Sequence, residues 1–455
     1  MMKRTRRDFL KTATVGVPMI LTSPTILPNV CLGENSSEGA NERLRVGHIG
    51  LGGMGRGDAS DFTGLADEVA LCDVDGGNLT EAMNSGSIGT KRDGKKIGTP
   101  DAYGDYRRIL DRKDIDIVAI GTCDHWHVKI AIEALQAGKH VFCQKPLTFT
   151  IEEGEMIRRA CAKYPDRVFQ VGTQQRAQHD QFALATLMIR KGLLGDIQKM
   201  TVNIGPSPVG GPFPLVDVPD TFDYEMWCGQ CPKVPYRAER CLRKFRYWYE
   251  YAGGTFTDWG AHHLDFVHWA LDYSAKGQGP TRITPIVAEH PAPLKDGYPT
   301  TDDRFNTCTN FDIQCQFGDT EVHVCSHTPD GNGVLVEGTK GRMNVNREQI
   351  KGTPMEEKWY DGVVTDDDFT ALAHGKKFDG WHKRNFLTCV REGGLPISDA
   401  FSHVQAMNSC HLVAIAARLG RELVWNPTTE TFEDDAQAQS FLSRERRAGY
   451  DIPQV

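Results

Sequence analysis

The chain has 455 residues, of which 40% are hydrophobic and 25% charged, and its formal net charge is −8. This composition is ordinary for a folded globular protein, and the length exceeds what one hydrophobic core usually serves, so we expect two domains plus a leader. No long run of lysine and arginine follows the first few residues. The chain therefore presents no basic face to a phosphate backbone, and we expect no nucleic-acid partner.

The first 40 residues predict an export signal and a linker. Residues 3–10 are rich in positive charge, an interrupted apolar stretch follows at residues 12–27, and polar sequence resumes at Glu34. This order is typical of a signal peptide, and the apolar part is too short and interrupted for a transmembrane span. The pair Arg6-Arg7 resembles the twin-arginine export signal. We expect a periplasmic or extracytoplasmic protein without a transmembrane span in the mature chain, and leave lipid anchoring at Cys31 open.

The 13 cysteines are scattered through apolar segments, unlike the even framework of a small disulfide-stapled domain. Most are predicted to be small buried hydrophobic residues. Cys228 and Cys231, with Cys241 nearby, have the spacing of some metal and redox sites, but the second pair that a structural zinc site needs is missing. We expect free or incidentally paired thiols and no metal.

A dinucleotide-binding fingerprint follows the first predicted strand. Residues 44–50 read as a strand that leads into Gly50-x-Gly52-x-x-Gly55, where a helix can begin. The three glycines permit a tight turn, close approach of the pyrophosphate and close packing of helix on strand. A second strand, residues 68–73, ends in Asp73. The distance along the chain from Gly50 to Asp73 is close to the expected spacing of about 20 residues, so Asp73 would bind the adenosine ribose. The predicted nucleotide contacts here are Gly50, Gly52, Gly53, Met54, Gly55 and Asp73.

The charge beside this fingerprint favours NAD over NADP. Asp75 adds a second carboxylate near Asp73. A 2′-phosphate on the ribose would be repelled by the two negative charges.

Two more apolar strands, residues 115–121 and 139–143, end in polar segments. Thr122 to His127 follow the first, and Gln144-Lys145-Pro146 follows the second. Ligands of open α/β sheets bind at this carboxyl edge. A strand-like segment at residues 197–204 comes later, and two more at 308–317 and 321–326 follow one another without a helix between them, which indicates an antiparallel sheet. We therefore predict an α/β fold: a leader at 1–40, a doubly wound parallel Rossmann sheet in 41–168, and an α+β domain with a large open, mainly antiparallel sheet in 169–455.

Asp258 and His262 are spaced so that a helix beginning near Asp258 would place them on one face, within reach of a direct hydrogen bond or a shared substrate. His263 and Asp265 follow closely, which raises the alternative of a metal site. Adjacent helical residues diverge by about 100°, so His262 and His263 could not easily chelate one ion together. Acid–base chemistry is the favoured interpretation.

The segments Thr122-Cys-Asp-His-Trp-His127, Ala137-Gly-Lys-His-Val141 and Gln144-Lys-Pro-Leu147 resemble the glucose-fructose oxidoreductase, inositol dehydrogenase and rhizopine-catabolism (Gfo/Idh/MocA) family, and the resemblance runs from about Leu44 to the C-terminus. The chain departs from the family pattern at Gln144, where Glu is usual, and at Cys123, where Pro is common. The resemblance implies a catalytic set of Lys145, Asp258 and His262. His262 would take the hydroxyl proton, Lys145 would stabilise the developing oxyanion or relay the proton, and Asp258 would position substrate or imidazole.

The remaining predicted contacts are less specific. At the nucleotide we expect Thr122, His127, Gln144, Lys145 and Gln174, and at the substrate Arg176, Trp259 and His263. Family resemblance further implies that a late helix at about residues 399–419 packs back on the nucleotide domain. It also implies that the open sheet serves substrate binding and the subunit contacts of a homodimer or homotetramer.

The sequence thus predicts an NAD(P)-dependent oxidoreductase that acts on a CH–OH group of a sugar, polyol or glycoside. Because free NAD is scarce outside the cytoplasm, the nucleotide would be tightly bound and internally recycled. Two alternatives remain open: an NAD-dependent glycoside hydrolase that works by transient oxidation and elimination, and a non-catalytic NAD-binding sensor.

Overall fold

The computed structural model describes residues 43–92 and 95–455. The predicted export signal, with Arg6, Arg7 and Cys31, lies outside these residues. From Leu44 to Val455 the chain forms one compact unit. None of the helices in the described part of the chain has both the length and the apolar character needed to cross a membrane.

The first half of the chain builds a six-stranded parallel sheet in the order β5-β2-β1-β6-β7-β8. The strands up to this point of the chain are β1 (Arg45–Ile49), β2 (Asp67–Cys72), the short hairpin β3 (Lys91–Arg92) and β4 (Lys95–Lys96), β5 (Asp101–Tyr103), β6 (Ile117–Ile120), β7 (His140–Cys143) and β8 (Phe169–Val171). All four residues of β6 are buried, as expected of a strand covered on both faces. The predicted Rossmann-type sheet is confirmed.

The second sheet has nine strands in the order β17-β16-β15-β9-β14-β13-β10-β18-β19. The strands of this half are β9 (Ile197–Asn203), β10 (Arg282–Glu289), the separate pair β11 (Leu294–Lys295) and β12 (Tyr298–Pro299), β13 (Asn310–Phe317), β14 (Thr320–Cys325), β15 (Gly333–Gly338), β16 (Arg342–Val345), β17 (Ile350–Lys351), β18 (Leu423–Asn426) and β19 (Thr431–Phe432). Within this sheet β9 and β14 run parallel, and the other neighbours are antiparallel. The prediction of a large, mainly antiparallel sheet is confirmed.

Helices cover the parallel sheet and one face of the second sheet. The α-helices of the described residues are α1 (Gly53–Phe62), α2 (Gly76–Asn84), α3 (Arg107–Leu110), α4 (His127–Gln136), α5 (Ile151–Lys163), α6 (Leu184–Arg190), α7 (Tyr224–Cys228), α8 (Thr255–Asp258), α9 (Gly260–Ala270), α10 (Thr353–Glu356), α11 (Asp366–Leu372), α12 (His382–Glu392), α13 (Ala400–Leu419) and α14 (Ala436–Gln439).

Helix α13 joins the two halves of the molecule. It is buried along almost its whole length and packs on α5, α9 and β10. Asp399 caps its start by accepting from the amide of Ser402 at 2.9 Å, and Gly420 ends it in a left-handed conformation. A helix buried on all sides must lie between layers, and buried residues of both sheets belong to one continuous hydrophobic cluster. The domain boundary predicted between residues 168 and 169 stays a prediction. The last strand of the parallel sheet, β8, begins directly after it.

Candidate functional site

The glycine loop lies between β1 and α1 and leaves no room for side chains at two of its positions. Gly50 has φ +85°, and a Cβ on Gly55 would lie 1.8 Å from the carbonyl oxygen of Gly50. A Cβ on Gly52 would meet nothing within 4 Å, on the side where a ligand approaches. The loop therefore has the shape that a dinucleotide phosphate requires at the start of α1.

A cleft of ≈ 660 Å³ opens at the carboxyl edge of the parallel sheet, within the range of cofactor sites. Six predicted nucleotide contacts line it: Gly50, Gly52, Gly53, Met54, Asp73 and Thr122. The residues present therefore fit a dinucleotide. Gly55 lies behind the loop rather than in the cleft wall.

Asp73 holds the loop as well as facing the cleft. Its carboxylate accepts from the backbone amide of Leu51 at 2.6 Å and from that of Asp75 at 2.8 Å. Burial is the largest influence on the carboxyl and raises its pKa, which the two backbone hydrogen bonds partly offset. The sequence predicted a ribose contact for this residue; the structure adds that Asp73 ties the glycine loop to β2.

The opposite wall of the cleft comes from the second half of the chain and was missed by sequence reasoning. It includes Phe222, Met226, Trp227, Lys244, Phe245 and Arg246. The segment has no motif, and its density of aromatic residues is the one signal that could have found it. The cleft is thus closed by residues distant in sequence.

Lys145 and Asp258 form an ion pair beside this cleft. Lys145 follows β7, and its ammonium group donates to the Asp258 carboxylate and, at 3.2 Å, to the Asp258 carbonyl oxygen. Burial lowers the pKa of Lys145, and Asp258 opposes that shift. The two residues, predicted as catalytic partners from distant segments, are in direct contact.

Arg246 connects the ion pair to the cleft. Its guanidinium lies 3.3 Å from the Asp258 carboxylate and 3.8 Å from that of Asp124, and the residue lines the cleft. Asp124 is buried, and neither of its carboxylate oxygens has a hydrogen-bond partner in residues 43–92 and 95–455. Burial raises the pKa of Asp124 to about 7, despite the neighbouring Arg246 and Lys145. Neither Arg246 nor Asp124 was predicted as a site residue.

His262 lies on α9, not on the helix that contains Asp258. Asp258 ends α8, Trp259 separates the two helices, and the Asp258 carboxylate turns to Lys145. The direct hydrogen bond that the spacing allowed is therefore not formed. Nδ1 of His262 is buried without a partner among the described residues. Burial, followed by Lys145 and Arg347, lowers the pKa of His262 well below its usual value, so the imidazole is neutral at pH 7.

His127 braces the two loops of the carboxyl edge rather than facing the cleft. Its ring nitrogens lie 2.7 Å and 3.1 Å from the carbonyl oxygens of Pro146 and Thr122. Gln174 lies in a 3₁₀ turn and is not part of the cleft wall. The structure thus gives His127 a role in holding the two loops and places Gln174 outside the cleft wall.

Gln144 points away from the cleft toward α1. Its amide donates to the Asp58 carboxylate at 2.7 Å, and Lys383 of α12 forms an ion pair with the same carboxylate at 2.8 Å. Because the Asp58 carboxylate already lies against residue 144, a second carboxylate there would be repelled, which explains why a neutral amide suits this position. Its predicted nucleotide contact is not supported by this position.

Two predicted substrate contacts are engaged within the protein. Arg176 is buried and forms a bidentate ion pair with Asp265 at 2.7 and 2.8 Å, and Nε2 of the buried His263 lies 2.8 Å from the side-chain oxygen of Asn332. Structural roles account for both. Trp259 differs, because it is partly exposed and packs beside His262 with ring centroids 5.9 Å apart.

The cysteines of the described residues are free thiols, most of them buried. Burial raises the pKa of Cys228, Cys231 and Cys241, which keeps them protonated. Within residues 43–92 and 95–455, no group of three or more histidine, cysteine or carboxylate side chains is arranged to hold a metal ion.

A parallel nucleotide-binding sheet with an ion-paired lysine at its carboxyl edge defines an α/β protein of the dinucleotide-binding class. Residues 44–173 match the NAD-binding Rossmann fold of an oxidoreductase family, and residues 211–452 match the C-terminal alpha/beta domain of that family. The chain belongs to this Gfo/Idh/MocA oxidoreductase family.

Relatives cover part of the chain at moderate identity. A glycosyl hydrolase family 109 protein of Shewanella pealeana is 31% identical over 209 residues, which are 43% of this chain and 45% of that protein. An inositol 2-dehydrogenase of Salmonella typhimurium is 31% identical over 137 residues, 29% of this chain and 38% of that enzyme. The matches thus span less than half the length of these relatives.

Among solved structures, the WlbA dehydrogenase of Bordetella pertussis, in complex with NADH and UDP-GlcNAcA, superposes with a TM-score of 0.56 at 18% identity. The match covers 84% of this chain and 98% of that one. At this identity the likeness establishes the fold.

Proposed function

We propose that the protein is an NAD-dependent oxidoreductase that acts on a CH–OH group of a sugar, polyol or glycoside. The observation that carries the proposal is the Lys145–Asp258 ion pair, which lies beside the buried His262 and is connected by Arg246 to a dinucleotide-sized cleft. Family membership supports the same reaction class.

When bound, NAD supplies the acceptor for the hydride that leaves the carbinol carbon. The protein has to take the hydroxyl proton, and Lys145 is suited to this because burial lowers its pKa, which makes the neutral amine easier to form. Asp258 keeps the amine beside the reacting group. The neutral His262 can hydrogen-bond the hydroxyl group, a weaker role than that of the base predicted from the sequence.

The test is turnover by protein purified with its own nucleotide, against a panel of free sugars and polyols. We expect K145A and H262A each to lower turnover at least about 100-fold, the usual contribution of acid–base catalysis. The matched control is K129A, which removes another largely buried, ion-paired lysine on α4. Unchanged turnover in K145A and H262A would overturn the site assignment, and with nucleotide still bound it would favour the sensor alternative.

Glycoside hydrolysis by transient oxidation and elimination is the second candidate, favoured by the 31% identity to a glycosyl hydrolase family 109 protein. Both candidates share the oxidation step, and they differ in product. Release of aglycone from aryl glycosides without added NAD would support hydrolysis. Formation of a lactone or keto-sugar would support net oxidation.

We further propose NAD rather than NADP as the retained nucleotide, because two acidic residues, Asp73 and Asp75, line the cleft. Mass spectrometry of the nucleotide released on denaturation tests this choice. Recovery of NADP would contradict it.

Export by the twin-arginine route to the periplasm is also proposed, on the strength of Arg6-Arg7 and the apolar stretch that follows. This route carries folded proteins, which suits a bound nucleotide. Replacement of both arginines by lysine should leave the protein in the cytoplasmic fraction. An unchanged distribution would argue against the route.

We also propose a homodimer or homotetramer formed through the open sheet.

A further inference from the structure

Arg347 is fixed over the site by two contacts. It lies in the turn between β16 and β17, and its guanidinium packs on the Trp259 ring at 4.6 Å. Its Nε donates to the side-chain oxygen of Gln175 at 3.2 Å, in the amide orientation in which Gln175 also donates to the His262 carbonyl oxygen at 3.1 Å. Gln175 is buried. Arg347 is exposed, but these contacts hold its guanidinium beside the Trp259–His262 pair, where a ligand can reach it from solvent.

The guanidinium of Arg347 is attracted by the Asp258 carboxylate but lies beyond ion-pair distance from it. No carboxylate of residues 43–92 and 95–455 forms an ion pair with it, and its two terminal nitrogens make no hydrogen bond to those residues. Asp258 is engaged by Lys145 and Arg246. Arginine presents its donors as a planar fork, which matches a carboxylate or sulfate group.

The positive charges near the site outnumber the negative ones. Lys145, Arg246 and Arg347 face the carboxylates of Asp258 and Asp124. Burial disfavours the ionised form of Asp124, so that carboxyl offsets less than a full charge at neutral pH. An anionic ligand group at the Arg347 position would balance this excess without leaving a charge unpaired.

We propose that Arg347 binds an anionic substituent of the substrate, a carboxylate or a sulfate ester, and thereby selects acidic sugars over neutral ones. This inference rests on the proposed function and names the substrate class for the same site. Trp259, stacked beneath the guanidinium and beside His262, would form the wall between the anionic substituent and the reacting hydroxyl.

The experiment compares matched ligands on nucleotide-loaded protein: glucuronate with glucose, galacturonate with galactose, and glucose 6-sulfate with glucose. Calorimetry measures binding, and turnover gives kcat/KM. We expect one acidic member of a pair to bind at least about 10-fold tighter than its neutral partner, and the carboxylate and sulfate arms to identify the anion.

The variants are R347Q, R347K and the control R342Q, which removes another exposed arginine from β16. R347Q should lower affinity and kcat/KM for the acidic sugar about 10- to 100-fold and change the neutral partner less than about 2-fold. R347K should have an affinity and a kcat/KM for the acidic sugar between those of the wild type and R347Q, because lysine keeps the positive charge but lacks the planar set of donors. R342Q should match the wild type, and circular dichroism checks that each variant is folded.

The experiment distinguishes failure of the Arg347 proposal from failure of the proposed oxidoreductase function. Equal binding of acidic and neutral partners by the wild type, or discrimination that survives R347Q, would overturn the assignment of Arg347. Charge-dependent binding that R347Q abolishes, without turnover of any sugar, would support Arg347 while refuting the oxidoreductase proposal.

Discussion

At the scale of single residues, close packing of backbone explains why Gly55 cannot carry a side chain. An alanine there would place its Cβ 1.8 Å from the carbonyl oxygen of Gly50. We expect G55A to displace the loop and lose bound nucleotide, measured as absorbance released on denaturation. In the same helix, a Cβ on Gly57 would meet nothing within 4 Å, so G57A should keep the nucleotide and be neutral or more stable by about 0.5–1 kcal/mol. Equal nucleotide retention by both variants would contradict the steric explanation.

Asp124 should make stability depend on pH. Its pKa is raised to about 7 in the folded protein, above the value of about 3.9 in an unfolded chain, so the folded state holds the proton more tightly. The corresponding stability is fully present below about pH 4 and is lost as pH rises to about 7. Between these pH values the free energy of unfolding should change with pH by up to about 1.4 kcal/mol per pH unit, and D124N should remove this dependence. Denaturation at a series of pH values measures it.

Glu153 provides the matched control for Asp124. Burial raises its pKa to about 7 as well, but its carboxylate accepts from the amide of Phe149 at 2.7 Å and has no contact with Arg246. E153Q should also flatten the stability curve. The pH dependence of turnover should change in D124N alone, because only Asp124 lies against the arginine that contacts Asp258. A turnover profile that E153Q alters equally would refute this distinction.

At the scale of elements, a buried ion pair links the turn after β8 to α9. Arg176 from the turn pairs with Asp265 of α9 and also donates to Ser402 of α13 at 3.0 Å. Burial by itself would raise the pKa of Asp265, and Arg176 with His403 holds it low instead. Arg176 therefore connects the turn to both α9 and α13 around the buried Asp265 carboxylate.

Removal of Arg176 leaves the buried Asp265 carboxylate without its bidentate partner and with only the 3.1 Å contact to His403. We expect R176A to lower the free energy of unfolding by about 3–5 kcal/mol, measured by denaturant titration. R421A is the control, since it removes a bidentate pair with Asp435 that lies partly exposed at the surface and should cost less than about 1 kcal/mol. Similar small losses in both variants would show that the buried pair is not needed.

At the scale of the whole molecule, the second sheet has a face on which side chains are half-exposed. His323 of β14 lies between the carboxylates of Asp312 and Glu321, at 2.8 Å from each. Leu335 of β15 is half-exposed, whereas its neighbours Val334 and Val336 are fully buried on the other face. An aliphatic side chain in a polar surface suits an interface between copies.

We expect L335D to shift the protein from the proposed oligomer to a monomer, because a carboxylate would be buried without a partner at the interface. Light scattering after size exclusion measures the mass. L395D, at a residue exposed by 42% and outside the sheet, should leave the mass unchanged. A wild-type protein that is monomeric at all concentrations would refute the interface.

The parallel nucleotide-binding sheet and its fingerprint could be predicted from the amino-acid sequence. Gly50 and Gly55 are dictated by local backbone geometry, and β6 by an apolar run buried on both faces, so both are readable from neighbouring residues alone. Asp73 followed from its spacing, although its bonds to the loop amides did not.

The partners of the site residues could not be predicted in this way, because they come together through tertiary packing. Asp258 pairs with Lys145 across the two halves of the chain rather than with His262 four residues away, because the chain passes from α8 to α9 at Trp259. Arg246 and Arg347 have no motif and reach the site through the packing of distant elements. Local pattern predicts which strand or turn forms, whereas the choice of partner depends on how the two sheets and α13 pack together.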